Sequence, residues 1–150
     1  MILLKMAIKL FKSKVLEEKY LNSNVKSFKL SIPKDFEFQA GQYVMLSFFV
    51  NGKKFRNPYS IASSPNKKFI ELCIKLIENG KSFNFIKNLK KGDKVEVFGP
   101  AGKFVINEDS KNKDLIFISI GTGIAPFRSM VYSLLEKNFK KKIILLNGFR

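Results

Sequence analysis

The sequence predicts a β plus α/β fold: a six-stranded antiparallel barrel over residues 1–106, then a strand, a helix and a second strand of a parallel sheet over 107–150. Three observations carry this. Up to Ile106 apolar and polar residues alternate in short runs broken by turn residues, the period of half-buried strands. LIFISI at 115–120 is instead a continuous apolar run, as in a parallel strand covered on both faces. Beyond it, Phe127, Met130, Val131, Leu134 and Leu135 recur at helical spacing.

The strands follow in order. Residues 8–21, IKLFKSKVLEEKYL, and 25–33, VKSFKLSIP, are two runs separated by Asn22, Ser23 and Asn24. Residues 36–50, FEFQAGQYVMLSFFV, pass through a turn at Gly41, and Asn51-Gly52 is a strong hairpin signal. FIELCIKLI, 69–77, sets Ile70, Leu72, Ile74 and Leu76 on one face, and KVEVFG, 94–99, leaves the turn at Gly92 and Asp93. The helix-like exception is KSFNFIKNLK, 81–90. Short strands at this spacing suggest a small closed barrel. After the polar linker NEDSKNKD, LIFISI ends at a glycine loop, a helix is predicted from about Ala125 to Lys137, and KKIILLNG is the second strand. One helix covers only one face of that sheet, so exposed apolar surface or an unpaired edge is expected.

Composition removes several function classes. With 45% apolar residues, 16 Phe and no Trp, a core packed by phenylalanine and aliphatics is expected. A formal charge of +16 would ordinarily point to nucleic acid or an acidic membrane. Here the lysines are spread along the whole chain with no run longer than three, a chain-wide bias that argues against a nucleic-acid function. A single cysteine excludes an internal disulfide, a cysteine-ligated iron–sulfur cluster and a thiolate zinc site. The absence of histidine removes the usual general base and the commonest metal ligand. MILLKM is too short and too soon charged for a signal peptide, and no apolar stretch approaches the roughly 18 residues of a membrane span. A cytoplasmic protein is expected.

Only three of the 28 basic residues are arginine: Arg56 in RNPYSIASSP, Arg128 in GTGIAPFRS and Arg150 closing NGFR. A guanidinium grips phosphate as a fork where an ammonium is a point charge, so these runs suit an anionic cofactor. GTGIAP lies between a predicted strand and helix, where backbone N–H groups and the helix dipole receive phosphate, with Pro126 suited to the first turn. From these residues alone a glycine turn without a ligand is equally open. YSIASS sets an aromatic plate beside hydroxyls, and RNPYS adds a cation. A flavin requires such a set, with the ring against the isoalloxazine, a donor near its reactive nitrogen and positive charge for its phosphates. The plain alternative is a strand whose Tyr59 packs on the core, and GPAGKF, 99–104, read alone is a turn.

Taken together these segments resemble the ferredoxin-NADP reductase family of flavoproteins, in which an antiparallel barrel binds FAD or FMN and a following Rossmann-like domain binds NAD(P)H. The matching pieces are GQYV at 41–44, YSIASSP at 59–65, LCIK at 72–75, GD at 92–93, GPAGKF, GTGIAPFRS at 121–129 and a G-x-R at 148–150, nearly the whole chain. The resemblance implies that Tyr59 stacks on the flavin and that Ser60 hydrogen-bonds near N5, the atom that accepts hydride. It implies that Cys73, Ile74 and Lys75 line the flavin and that Gly80, Lys81 and Ser82 form its phosphate-binding turn. Gly121, Thr122 and Gly123 would face the nicotinamide nucleotide, with Arg150 near its ribose phosphate. For Cys73 a purely structural role stays equally open.

Departures from the family sharpen these expectations. Its arginine lies two residues before the stacking tyrosine, where this chain has Asn57; Arg56, one position further upstream, is nevertheless expected to contribute to flavin phosphate binding, with a bulge at Pro58 re-aiming it. The turn after Gly80 usually carries Ser or Thr three residues on, where Phe83 stands, and Ser82 is one position early. Family members continue for about another half of the Rossmann-like domain, including a late cysteine-glycine motif and often a terminal aromatic. The expectation is therefore a flavin-dependent oxidoreductase passing electrons between NAD(P)H and an unidentified acceptor, truncated or split and completed by a second chain. The other reading is a non-enzymatic flavin-binding electron-transfer module completed by a partner. FAD is expected, with FMN as the alternative. Arg150 and the lack of an acidic residue after the second strand lean toward NADPH over NADH.

Overall fold

The computed structural model describes residues 8–149. Six strands, β1 (Lys9–Asn22), β2 (Val25–Ser31), β3 (Tyr43–Val50), β4 (Lys53–Ser60), β5 (Phe69–Lys75) and β6 (Lys94–Ala101), form one antiparallel sheet in the order β4-β3-β6-β1-β2-β5. β1 serves both halves, pairing β6 over Lys9–Lys14 and β2 from Val15 onward, with a register shift between Val15 and Glu17. Such an irregularity bends a strand and lets the sheet curl. The curl brings the continuation of β4 to β5, where Ile61 and Leu72 form a single bridge.

Alternate residues fill the interior, among them Val15, Phe28, Leu30, Val44, Leu46, Ile70, Leu72, Val95 and Val97. The expected inward row of β5 is buried, through Ile74 and Leu76. Residues 36–42 do not extend β3 as the sequence suggested. Phe36 and Phe38 plug the core from a loop, and the strand begins only past the turn at Gly41. Asn51 and Gly52 have φ of 50° and 76°, the left-handed pair that a tight hairpin between β3 and β4 requires. The helix α1 (Phe83–Asn88) places Ile86 in the core and stacks Phe85 on Phe48, whose other neighbour is Phe55. Lys26 is buried, yet its ammonium donates to the carbonyls of Lys87 and Leu89 at 3.2 and 2.7 Å, satisfying groups left open at the end of α1.

The second layer holds β7 (Leu115–Ile120), a 3-10 turn at Gly121–Ile124, α2 (Ala125–Glu136) and β8 (Ile143–Gly148), with β7 and β8 parallel. Phe127, Met130, Val131 and Leu134 of α2 pack with Phe117 on one face of this pair. The other face is open, as expected: Ile116, Ile118 and Ile120 are 62 to 79% exposed. Leu135, placed in the helical stripe by its spacing, is exposed, and Ser129 is fully buried instead. The reason is that α2 also packs on the barrel, through polar side chains. Gly41 marks the junction, with φ +103°; a Cβ there would lie 1.9 Å from the Phe104 carbonyl oxygen and 2.4 Å from Met130 Cε. No helix of the described residues is long and apolar enough to cross a membrane.

Candidate functional site

β5 is an edge strand, and past the Ile61–Leu72 bridge no strand of the described residues pairs its outer edge. Counting antiparallel from that bridge sets Tyr59 across from Ile74, with the two strands no longer bonded. The interval without strand pairing between the end of β4 and the outer edge of β5 at Cys73 and Lys75 is the β4–β5 gap. Ile74 is buried in the core and its backbone faces β2, so the outward backbone groups are those of Cys73 and of Lys75, whose side chain is exposed. Free N–H and C=O groups on such an edge bond readily to a flat polar partner.

Along β4, Phe55, Asn57 and Tyr59 share one face. Ser82, just ahead of α1, ties that face to the turn after Gly80. Its Oγ accepts from Asn57 Nδ2 at 3.0 Å and from the Tyr59 hydroxyl at 3.3 Å. Engaged in this way, Ser82 makes no side-chain cap on α1. Lys81 lies beside the same row, its ammonium 4.7 Å from the centre of the Phe55 ring. Gly80 closes the preceding turn by donating its N–H to Ile77 O at 2.9 Å. Ser60 faces away from this row and pairs in register with Tyr43.

The bulge expected at Pro58 is absent. Pairing of β3 with β4 runs unbroken from Tyr43–Ser60 to Val50–Lys53, so Arg56 is not re-aimed. Its side chain stands on the face opposite Asn57 and Tyr59, 3.7 Å from Glu96, donating to Ser47 Oγ at 3.3 Å and lying over the Phe98 ring at 4.9 Å. The Lys54 ammonium 2.5 Å away, then the Ser47 hydroxyl, hold the Glu96 carboxyl below the usual carboxylate range, so Arg56 faces a full negative charge.

Arg128, the second arginine singled out, is also engaged within the protein. Its Nη1 donates to Ala62 O at 2.9 Å and to Glu71 Oε2 at 2.7 Å, and its guanidinium covers Tyr132. Ser129 donates to Ser63 O at 2.6 Å, and Glu136 accepts from Ser64 and from Asn66 Nδ2. One segment, residues 59–66, thus carries Tyr59 and Ser60 at its start and anchors α2 with the rest. Cys73 stands on the Glu71 side of β5; burial pushes its thiol up, against the opposing pull of Arg128, so it stays protonated at neutral pH. The turn Gly121–Ile124 lies against β5, with Gly121 at φ +55° and open space where a Cβ would sit. Arg150 lies outside the described residues. A cavity of about 610 Å³ lies between the 38–40 loop and the far end of α2; Pro65 lines it, but Tyr59, Ser60, Cys73, Lys81 and Ser82 do not.

Asn57, Glu71 and Glu136 are the residues that motif reading missed. Only Asn57 carried a signal, its position two before Tyr59 on a strand.

Residues 12–106 match the family described as oxidoreductase FAD-binding domain, well over half of the chain. The chain belongs to the oxidoreductase FAD-binding domain family. As an FAD-binding domain it is 38% identical over 132 residues to the reductase component DmpP of phenol 2-monooxygenase from Pseudomonas sp. (strain CF600), covering 87% of this chain and 36% of that protein. It is 31% identical over 138 residues to the ferredoxin–NADP reductase of Azotobacter vinelandii, covering 91% of this chain and 54% of that one. Among solved structures, the Amycolatopsis cytochrome P450 reductase GcoB superposes with a TM-score of 0.85 at 28% identity, over 97% of this chain and 45% of that chain. The FAD-binding domain described here thus spans about a third to a half of the length of these relatives.

Proposed function

We propose that the chain binds FAD across the gap between β4 and β5 and serves a flavin-dependent oxidoreductase that moves electrons between NAD(P)H and an acceptor. The observation that carries this reading is the placement of Tyr59, partly buried against the barrel core, at the level where the outward backbone groups of Cys73 and Lys75 on the edge of β5 have no strand partner. A flat, amphipathic heterocycle stacks on the first and bonds through its polar edge to the second. When bound, the flavin supplies the redox chemistry, accepting electrons from a nicotinamide nucleotide and passing them on.

The chain's own groups bind and orient. Tyr59 offers the platform, held by its bond to Ser82. On this reading Ser60 supplies a hydroxyl at the end of β4, and the turn of Gly80, Lys81 and Ser82, tied to Asn57, is assigned to the phosphates of the cofactor. The Gly121–Gly123 turn, resting on β5, offers backbone N–H groups to a nicotinamide nucleotide, with Arg150 assigned to its ribose phosphate and NADPH favoured. No side chain needs to carry a proton, which suits a chain without histidine. On this reading residues 1–106 are the flavin-binding barrel and 107–150 the start of the nucleotide domain, whose open Ile116–Ile118–Ile120 face takes a covering layer from further chain. A cytoplasmic location goes with it, since one cysteine in 150 residues fits a reducing compartment. That open face also favours a second reading, a flavin-binding electron-transfer module completed by a partner.

Anaerobic titration of the FAD-loaded protein with NADPH and with NADH, followed by flavin absorbance, tests the proposal. Bleaching by NADPH supports the oxidoreductase reading. A bound flavin that neither nucleotide bleaches favours the module.

A further inference from the structure

The cavity between the 38–40 loop and the far end of α2, about 610 Å³, lies within the roughly 300–1,000 Å³ range of small-molecule sites. Its apolar lining includes Phe38, Ile106, Leu134 and Phe139. Phe38 belongs to the barrel core and Leu134 to the core of the second layer, so the cavity lies on the seam between the two. None of the described residues assigned to flavin or nicotinamide nucleotide lines it.

Positive charge gathers at the same place. α2 ends in a reversal in which Asn138, at φ +55°, donates its N–H to Leu135 O and Phe139 donates to Leu134 O, both at 3.0 Å. The reversal packs Phe139 on the second core, and Lys137, Lys140 and Lys141 line the cavity together with Lys111 of the linker. Glu108 is the one carboxylate of this lining, and it pairs with Lys111. No carboxylate of the described residues lies within ion-pair distance of the ammonium of Lys137, Lys140 or Lys141. The C-terminus of α2 carries about half a negative charge, which three ammoniums outweigh. An apolar hollow alone favours a neutral ligand, and lysines alone favour any polyanion. Together they select a molecule with an apolar body and an anionic head.

We propose that this seam cavity binds a small amphipathic monocarboxylate, its apolar body against Phe38, Leu134 and Phe139 and its carboxylate toward the wall of Lys137, Lys140 and Lys141. Binding here does not depend on the flavin site, which shares none of these residues.

The test is titration of the 150-residue chain with octanoate and with its neutral counterpart octanol, followed by amide chemical shifts in NMR spectra. Octanoate should saturate one site, with shifts centred on Ala40, Ile106, Leu134 and Phe139, and should bind at least about tenfold tighter than octanol. Lys137→Gln, Lys140→Gln and Lys141→Gln combined should weaken octanoate about tenfold and leave octanol unchanged. Ser133→Trp, which fills the hollow from α2, should abolish binding of both; Val105→Trp fills it from the linker and replaces that variant if its spectrum shows an unfolded chain. Shifts confined to the open Ile116–Ile118–Ile120 face, equal affinity for octanoate and octanol, or octanoate binding that survives the lysine and the tryptophan replacements would overturn the assignment. So would the absence of saturable binding up to about 10 mM octanoate.

Discussion

Asn57 Nδ2 lies 3.0 Å from Ser82 Oγ, a bond between residues 25 apart in sequence that pins the turn before α1 to the open edge of β4. A double-mutant cycle of Asn57→Ala and Ser82→Ala in urea denaturation should give a coupling of about 0.5–1 kcal/mol, the usual net worth of a partly exposed neutral hydrogen bond. Strict additivity would mean that the turn is held by α1 packing alone.

Gly41→Ala should be severely destabilising. Its φ of +103° disfavours any side chain, and the added carbon would overlap the Phe104 carbonyl and the Met130 methyl. A loss of about 3 kcal/mol or more, or failure to fold, is expected from strain and overlap combined. A loss under about 1 kcal/mol, the range of unstrained surface changes, would show that this junction is looser than the packing indicates.

Arg128→Ala should loosen α2 from the barrel, because Glu71 and the Ala62 carbonyl lose their donor. Since the arginine is partly exposed, about 1–2 kcal/mol is expected, below the value for a fully buried charged bond. Hydrogen exchange should rise across Ala125–Glu136 while β1 to β6 stay protected. Uniform loss of protection would indicate that the two layers unfold as one.

Stability should be flat from roughly pH 5 to pH 8, because the chain has no histidine to titrate there. Glu17, Asp35 and Glu96 are each held below the usual carboxylate range by a lysine, Lys29, Lys9 and Lys54 respectively. A carboxylate whose folded value is depressed contributes stability that is fully present above its unfolded value, near pH 4, and is lost as pH falls through the folded value. Thermal melts should therefore decline only below about pH 4. A drop between pH 7 and pH 5 would point to a group that these ion pairs do not include.

Much of this architecture is legible in period alone. The alternation in FIELCIKLI marks its buried row, Asn51-Gly52 marks its hairpin, and the unbroken LIFISI marks a parallel strand. What period cannot give is where a strand stops for tertiary reasons: Phe36 and Phe38 alternate like a strand but plug the core from a loop. Leu135 fits a helical stripe, yet α2 has two packed sides, and the one against residues 62–66 is polar, so an apolar periodicity could not reveal it. At the site, motif order singled out Tyr59, Ser60 and Ser82 as candidates, but the bulge expected at Pro58 to turn Arg56 toward Tyr59 is absent from the β3–β4 ladder. Strand parity pointed to Asn57.

The most direct test of the account is FAD binding to this chain and to its Tyr59→Ala variant, measured by flavin fluorescence quenching. Loss of the aromatic platform should cost about 1 kcal/mol beyond the area it buries, at least a fivefold rise in Kd, while Tyr59→Phe should stay within about threefold of the unaltered protein. Equal affinities for the unaltered chain and Tyr59→Ala, or no FAD binding by either, would contradict the placement of a flavin between β4 and β5.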